Sequence, residues 1–181
     1  AGVRRVLANH PLAIIRPPAI YGPADAATKP FFQAMARGFA PMPDPVDARL
    51  AMIYVDDAAL ATLAALRSAS PVQPIFEIDD GTGGYTWREI HAVGETAVGR
   101  RLRPIRLPIS LIQLAGAFGG LGARMSEAFG FQPPFLTSGK VAEMRAGDWI
   151  VDAARSLPQW RAEVSLEAGF RRTLAWYRGN G

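Results

Sequence analysis

Leu12-Ala13-Ile14-Ile15-Arg16-Pro17-Pro18-Ala19-Ile20-Tyr21-Gly22-Pro23 decides how the rest of the chain is read. Its four leading apolar residues run without alternation, the pattern of a strand covered on both faces in a parallel sheet flanked by helices. Pro17 and Pro18 then stop the ladder. Neither can donate a backbone hydrogen bond, and Pro18 holds Pro17 in an extended conformation. Tyr21-Gly22-Pro23 follows as a turn. A parallel strand that opens into a loop at its carboxyl end is where α/β sheets hold their ligands. Taken alone, the same residues equally describe a core strand with a stiffened loop.

Composition bounds what such a sheet can do. The chain has 181 residues, room for one large domain or one and a half small ones. It is 49% hydrophobic and 20% charged, which suits a soluble protein with a real core. With no cysteine and two histidines, disulfides and thiolate metal sites are excluded, and no metal is expected. The net charge of +4 and a pI near 10.0 come from 18 arginines and two lysines, Lys29 and Lys140. These charges are spread along the chain without a basic block interleaved with aromatics, so no nucleic-acid partner is expected. The start, Ala1-Gly2-Val3, has no apolar signal segment. The chain therefore reads as a trimmed product or fragment of a cytoplasmic protein, with no membrane partner.

Outward from the first strand, residues 3–8 read as the end of a helix. Residues 26–38 carry Phe31, Phe32, Met35 and Ala36 at helical spacing, with Gly38 as the stop. Pro41-Met42-Pro43-Asp44-Pro45 reads as a rigid loop. Residues 50–55 predict a short strand, and Asp56 or Asp57 a cap for a helix over 58–68. Residues 74–78 form the next strand, parallel to the first because a helix connects the two.

Two glycine-rich stretches invite a phosphate reading, and both resist it. In Asp79-Asp80-Gly81-Thr82-Gly83-Gly84 the third glycine falls one place early and two aspartates would repel an anion. This is a turn, after which Thr86 and Glu89 make a capping box. Gly116-Ala117-Phe118-Gly119-Gly120-Leu121-Gly122 has glycines at dinucleotide spacing. However, Ser110 and Gln113 interrupt the preceding apolar run at helical spacing, and Pro133-Pro134-Phe135 stands where a ribose-binding acid belongs. It reads as a joint between helices. Further on, Thr137 can cap a helix through Arg145, and Asp148-Trp149-Ile150-Val151 is extended. Residues 166–177 are amphipathic, with Leu166, Phe170, Leu174 and Tyr177 on one stripe.

Several of these segments together resemble the C-terminal half of extended short-chain dehydrogenases/reductases, the NAD(P)-dependent epimerase/dehydratase family. Arg16-Pro17-Pro18-Ala19-Ile20-Tyr21-Gly22-Pro23 is similar to the segment after that family's catalytic helix. Ile53-Tyr54-Val55-Asp56-Asp57-Ala58, Tyr85-Thr86-Trp87-Arg88-Glu89-Ile90 and Leu136-Thr137 with Lys140-Val141 follow in the family's order. Ser165-Leu166-Glu167 with Gly169, then Trp176-Tyr177-Arg178, close the series. The resemblance implies an α/β fold. Residues 1–101 would form the C-terminal part of a Rossmann-like parallel sheet, and residues 102–181 a mainly helical substrate-binding lobe with the C-terminal helices.

The resemblance also implies roles. Pro17, Pro18, Ala19 and Ile20 would lie against the nicotinamide end of NAD or NADP. Tyr21, Arg49, Arg103 and Arg106 would contact substrate. Relatives that bind nucleotide sugars carry an arginine where Leu50 stands, with Arg49 one place early. Where sugar-nucleotide epimerases hold asparagine this chain has Ala19, which implies a more apolar hydroxy or keto compound. Ile109, Leu111, Leu114, Phe118, Met125, Phe129, Phe131 and Phe135 would give that substrate an apolar wall.

What the family's chemistry needs is not all present. Its activity resembles proton transfer by a Tyr-x-x-x-Lys pair. Here the residues four beyond the tyrosines are Asp25, Ala58, Glu89 and Gly181. No catalytic residue is therefore assigned. This chain is expected neither to turn over substrate nor to bind NAD or NADP without the missing N-terminal half. A homodimer stays open, as do a non-catalytic NAD(P)-binding member of the superfamily and a structural subunit that holds partners.

Overall fold

A computed structural model describes residues 12–68, 74–107 and 148–179. The readings for residues 3–8, for the apolar wall between 109 and 135, for the joint at 116–122 and for the helix after Thr137 lie outside the described residues.

The fold is α/β, with short parallel strand pairs and helices. β1 (Ile14–Arg16) lies parallel to β6 (Ile75–Glu77), Ile14 opposite Ile75 and Arg16 opposite Glu77, as expected from the helix between them. Past Pro17 and Pro18 the loop expected from sequence is confined to the two prolines. The strand resumes as β2 (Ala19–Tyr21), now parallel to β5 (Met52–Tyr54). The reason is a gap in donors: with no N–H at 17 or 18 the ladder lapses, and the strand changes partner before Ala19 donates to Ala51 at 3.3 Å. Ile78 then donates to Arg16 at 3.4 Å and Asp80 to Met52 at 3.2 Å, carrying the chain after β6 across the break.

Ile14 and Ile15 are half-buried, less sealed than their unbroken run predicts, because among the described residues β1 is paired along one edge only. The strand covered on both faces is β5. Its Met52 and Tyr54 join the larger core, with Tyr21, Phe32, Ile90 and Phe170. Its Ile53 faces the smaller one, with Ala58, Ala61, Phe76, Ile78 and Leu157.

α1 (Lys29–Arg37) begins after Asp25 has taken the N–H groups of Ala27 at 3.0 Å and Thr28 at 2.9 Å, later than the apolar spacing predicts. Gly38 closes it at φ 99°, as read from sequence. The proline-rich stretch after it is a strand rather than a loop. β3 (Phe39–Pro43) pairs in parallel with β8 (Arg103–Leu107), a strand that sequence reading missed. Arg103 donates to Gly38 at 2.8 Å and Asp44 to Leu107 at 3.1 Å. That parity puts Ala40, Met42, Ile105 and Leu107 in donating positions and Pro41, Pro43 and Pro104 in the alternate ones, where no donor is required.

β4 (Arg49–Leu50) pairs antiparallel with β7 (Tyr85–Thr86). Residues 148–151 are extended as expected. Trp149 bridges Leu50 in parallel, donating to Arg49 and accepting from Ala51, each at 2.7 Å.

α2 (Val55–Arg67) starts three residues before the predicted position, with Tyr54 at the N-cap and no side-chain cap. Neither aspartate caps it. Asp57 is 1% exposed and its carboxylate accepts the N–H groups of Glu163 at 3.1 Å and Val164 at 2.9 Å. Those residues lead into α4 (Leu166–Gly179), whose Leu166, Phe170, Leu174 and Tyr177 are buried as the stripe predicts. On its outer face α2 exposes Leu60, Leu63 and Leu66.

α3 (Trp87–Val98) carries the expected capping box. Thr86 accepts the Glu89 N–H at 3.2 Å, and the Glu89 carboxylate accepts the Thr86 N–H at 2.7 Å. Thr86→Ala is expected to lower stability by ~1 kcal/mol, measured by urea unfolding. The hydrogen bond from the Thr86 N–H, then that from its hydroxyl, hold the Glu89 carboxyl below its ordinary 4.5. A depressed carboxylate contributes stability above its unfolded value and loses it as pH falls through the folded value. The difference between wild type and Thr86→Ala should therefore shrink below pH 4.5.

Candidate functional site

At the carboxyl end of β1, Arg16, Pro17 and Pro18 wall a cleft of about 150 Å³ closed by Glu77, Trp149, Ile150 and Val151. Each wall has a local cause. The prolines stand at the switch between β6 and β5, and register sets Glu77 opposite Arg16. The hydrogen bonds of Trp149 to β4 and Ala51 bring Ile150 and Val151 across.

Glu77 ties the polar side together. Its carboxylate accepts the Asp152 N–H at 2.8 Å and lies 3.7 Å from both Arg16 and Arg155. Arg155 also pairs with Asp152 at 3.3 Å, at the 3-10 turn Ala153–Arg155. Both guanidinium groups are half-exposed, so these ion pairs contribute little stability. What they set is position. The rest of the lining is apolar, and the cleft is below the roughly 300–1,000 Å³ of pockets that enclose a whole ligand. It is sized for one end of a molecule.

The residues expected at the site are placed as follows. Pro17 and Pro18 line the cleft, with half-buried Ala19 and the 38% exposed Ile20 next in the chain. Tyr21 is 1% exposed, its ring held 5.7 Å from Tyr54 and 5.4 Å from Phe170. Burial, then the charge of Asp80, raises its hydroxyl pKa far above the ordinary tyrosine value, so it stays neutral. Arg49 donates to the Gly84 carbonyl at 2.7 Å and lies outside the cleft lining. Arg103 and Arg106 are exposed on β8 and are not among the lining residues either.

Sequence reading missed Glu77, Trp149, Ile150 and Val151. One signal was available for Glu77: two parallel strands paired in register put an acid opposite Arg16.

The glycine-rich 79–84 stretch is the turn it was read to be. Asp79 accepts from the Gly81 N–H at 2.9 Å, and Asp80 accepts from the Thr82 N–H at 3.2 Å and from the hydroxyl of Tyr85. Burial, then that bond to Asp80, pushes the Tyr85 pKa up. Gly84 is required at φ 88°, where a Cβ would come within 3.1 Å of the Ala51 nitrogen. Among the described residues no group of three or more His, Asp or Glu could hold a metal. No described helix is long and apolar enough to cross a membrane.

The α/β fold of the described residues is that of part of several solved Rossmann-type epimerases. The chain is 36% identical over 183 residues to ceramide reductase of Caulobacter vibrioides, matching 100% of this chain and 56% of that protein. It superposes on UDP-glucose 4-epimerase of Thermotoga maritima, solved with UDP-glucose, at TM-score 0.61 and 20% identity, covering 93% of this chain and 46% of that one. A human epimerase family protein solved with NADPH gives TM-score 0.65 and 16% identity, over 90% of this chain and 48% of that one. No family model matches the chain. The chain thus spans about half the length of these proteins.

Proposed function

We propose that the chain is the C-terminal, substrate-binding half of an NAD(P)-dependent reductase or dehydrogenase acting on a keto or hydroxy group of an apolar, ceramide-like compound. The observation that carries this reading is the 36% identity to a ceramide reductase along the whole chain. Ala19 supports it as a small apolar residue where a sugar-nucleotide enzyme would place asparagine. The cleft supports it too, since Pro17, Pro18, Ile150 and Val151 present hydrocarbon and proline nitrogens offer no donor.

The cleft fits the flat nicotinamide end of the cofactor and no more of it. Among the described residues no glycine turn at a helix amino end could hold the pyrophosphate. When bound, NAD(P) supplies or accepts a hydride. Pro17, Pro18 and Ile150 would exclude water from that end, and Glu77 would keep Arg16 and the 152–155 turn in place around it. The pyrophosphate site and the Tyr-x-x-x-Lys proton donor would come from a missing N-terminal half. That half would cover the Leu60, Leu63 and Leu66 face of α2 and the edge of β1 that is unpaired among the described residues. This chain alone would then be inactive.

In the complete protein, NADH- or NADPH-dependent reduction of a keto-ceramide is expected, with neither turnover of UDP-glucose nor a change of melting temperature on adding it. Calorimetry on this chain alone should give no NADH or NADPH binding at millimolar concentration. A melting shift with UDP-glucose that is lost on Arg103→Ala or Arg106→Ala would overturn the reading and return the protein to the sugar-nucleotide branch.

A further inference from the structure

The pairing of β3 with β8 gathers charges that look scattered in the sequence. Arg103 stands opposite Phe39, and Ile105 opposite Pro41. Arg37 ends α1 just before that strand, and Arg100 donates to the Ala36 carbonyl at 2.6 Å. Arg101 precedes β8, whereas Arg106, opposite Met42, belongs to the other face of the strand pair. The side chains of Arg37, Arg100, Arg101 and Arg103 are exposed, and apart from that of Arg100 they make no hydrogen bond or ion pair among the described residues. Glu95, which accepts the Leu102 N–H at 2.9 Å, and Asp44, whose N–H bonds Leu107, are carboxylates bonded to the two ends of the β8 segment. Phe39 and Ile105, each 40% exposed, lie on the same outer face as Arg103.

We propose that this β3–β8 face rests on an anionic lipid surface. Its arginines meet acidic headgroups while Phe39 and Ile105 enter the boundary between headgroups and chains. Charge complementarity carries the assignment, and the two apolar side chains between arginines favour a lipid surface over nucleic acid. The expectation that the protein has no membrane partner followed from the lack of an apolar segment, which does not bear on a contact made at the lipid surface by a strand pair. A ceramide-like substrate would give such a surface a use, but the contact is independent of that reading. Vesicles free of ceramide test it alone.

The full chain should cosediment with vesicles of phosphatidylcholine and phosphatidylglycerol in equal parts, and not with phosphatidylcholine alone. Binding should weaken as salt is raised. Each arginine near an acidic surface contributes about fivefold, so Arg101→Gln with Arg103→Gln should weaken binding ~25-fold. Phe39→Ser should weaken it further at high salt, where the apolar part of the contact dominates. Arg161→Gln with Arg178→Gln, the same charge loss elsewhere, should leave it within about twofold, and circular dichroism should show every variant folded. An equal loss with the control pair would reduce the effect to net charge and overturn the proposal. So would a melting-temperature rise with inorganic phosphate abolished by Arg103→Gln, which would mean a discrete phosphate site. Tighter binding to a single-stranded RNA oligonucleotide, displacing the vesicles, would equally overturn it.

Discussion

Asp57→Asn is expected to cost the folded chain about 3 kcal/mol, seen as a lower urea midpoint with an unchanged slope. Asp57 is 1% exposed, and one oxygen accepts the Glu163 N–H while the other accepts that of Val164. Hydrogen bonds to a charged acceptor contribute ~1.5–3 kcal/mol each, and a donor left buried without an acceptor costs more than the bond was worth. Asparagine keeps the shape but turns one acceptor into an NH2 that must face an N–H. Part of the loss is offset because a carboxylate need no longer be desolvated. That is why the expected cost is about 3 kcal/mol rather than the sum of two bonds. Asp56→Asn is the control. Asp56 shares the first turn of α2 but is exposed. If both aspartates served only the positive end of that helix, their substitutions would cost the same few tenths of a kcal/mol. Equal, small effects would remove Asp57 as the clasp between α2 and the segment that enters α4.

How much of this molecule could be read from sequence follows the range of the interaction that places each residue. Gly38, the Thr86–Glu89 box and the buried stripe of α4 depend on neighbours within a turn or two, and their patterns were legible. The parallel pairing of β1 with β6 was legible as well, from two apolar runs with a helix between them. The partners of Asp57 lie 106 and 107 residues away, and no local signal distinguishes a carboxylate that caps its own helix from one that reaches across the fold. β3 was hidden for a different reason. Prolines argue against a strand until the parity of the partner is known, and β8 stands far along the chain. The same blindness applied to the site. The strand break that puts Pro17 and Pro18 beside the cleft is a local signal, whereas Ile150 and Val151 reach the cleft through the bonds of Trp149 to strands about 100 residues earlier. Tyr21 shows a burial that local pattern did not reveal. A tyrosine at the end of a loop looks available to substrate, yet β2 turns its ring into the larger core.

Gly169→Ala should destabilise the chain by ~2 kcal/mol, against the usual trend in helices, where the change from glycine to alanine gains up to ~1 kcal/mol. A Cβ at Gly169 would collide with the Tyr21 hydroxyl oxygen and stand 2.8 Å from Cζ and 2.9 Å from Cε2. Tyr21 has nowhere to retreat. Its ring packs against Phe32, Tyr54 and Phe170, and those residues belong to the same closed core. Either the ring or α4 must move, and overpacking of this kind typically costs ~1–3 kcal/mol. Gly179 gives the control, because nothing lies within 4 Å of its Cβ position; alanine there should be neutral or slightly stabilising. The decisive measurement is the pair with Tyr21→Phe. Removing the hydroxyl clears the shortest contact but leaves both ring carbons, so part of the Gly169→Ala loss should return and the two changes should be non-additive. Strict additivity would mean that Tyr21 and Gly169 do not meet. If they do, the glycine four residues past Ser165 is what lets the last helix close over the strand that runs on from the Pro17–Pro18 wall of the cleft. Loosening that contact should then be felt at the cleft, not only in α4.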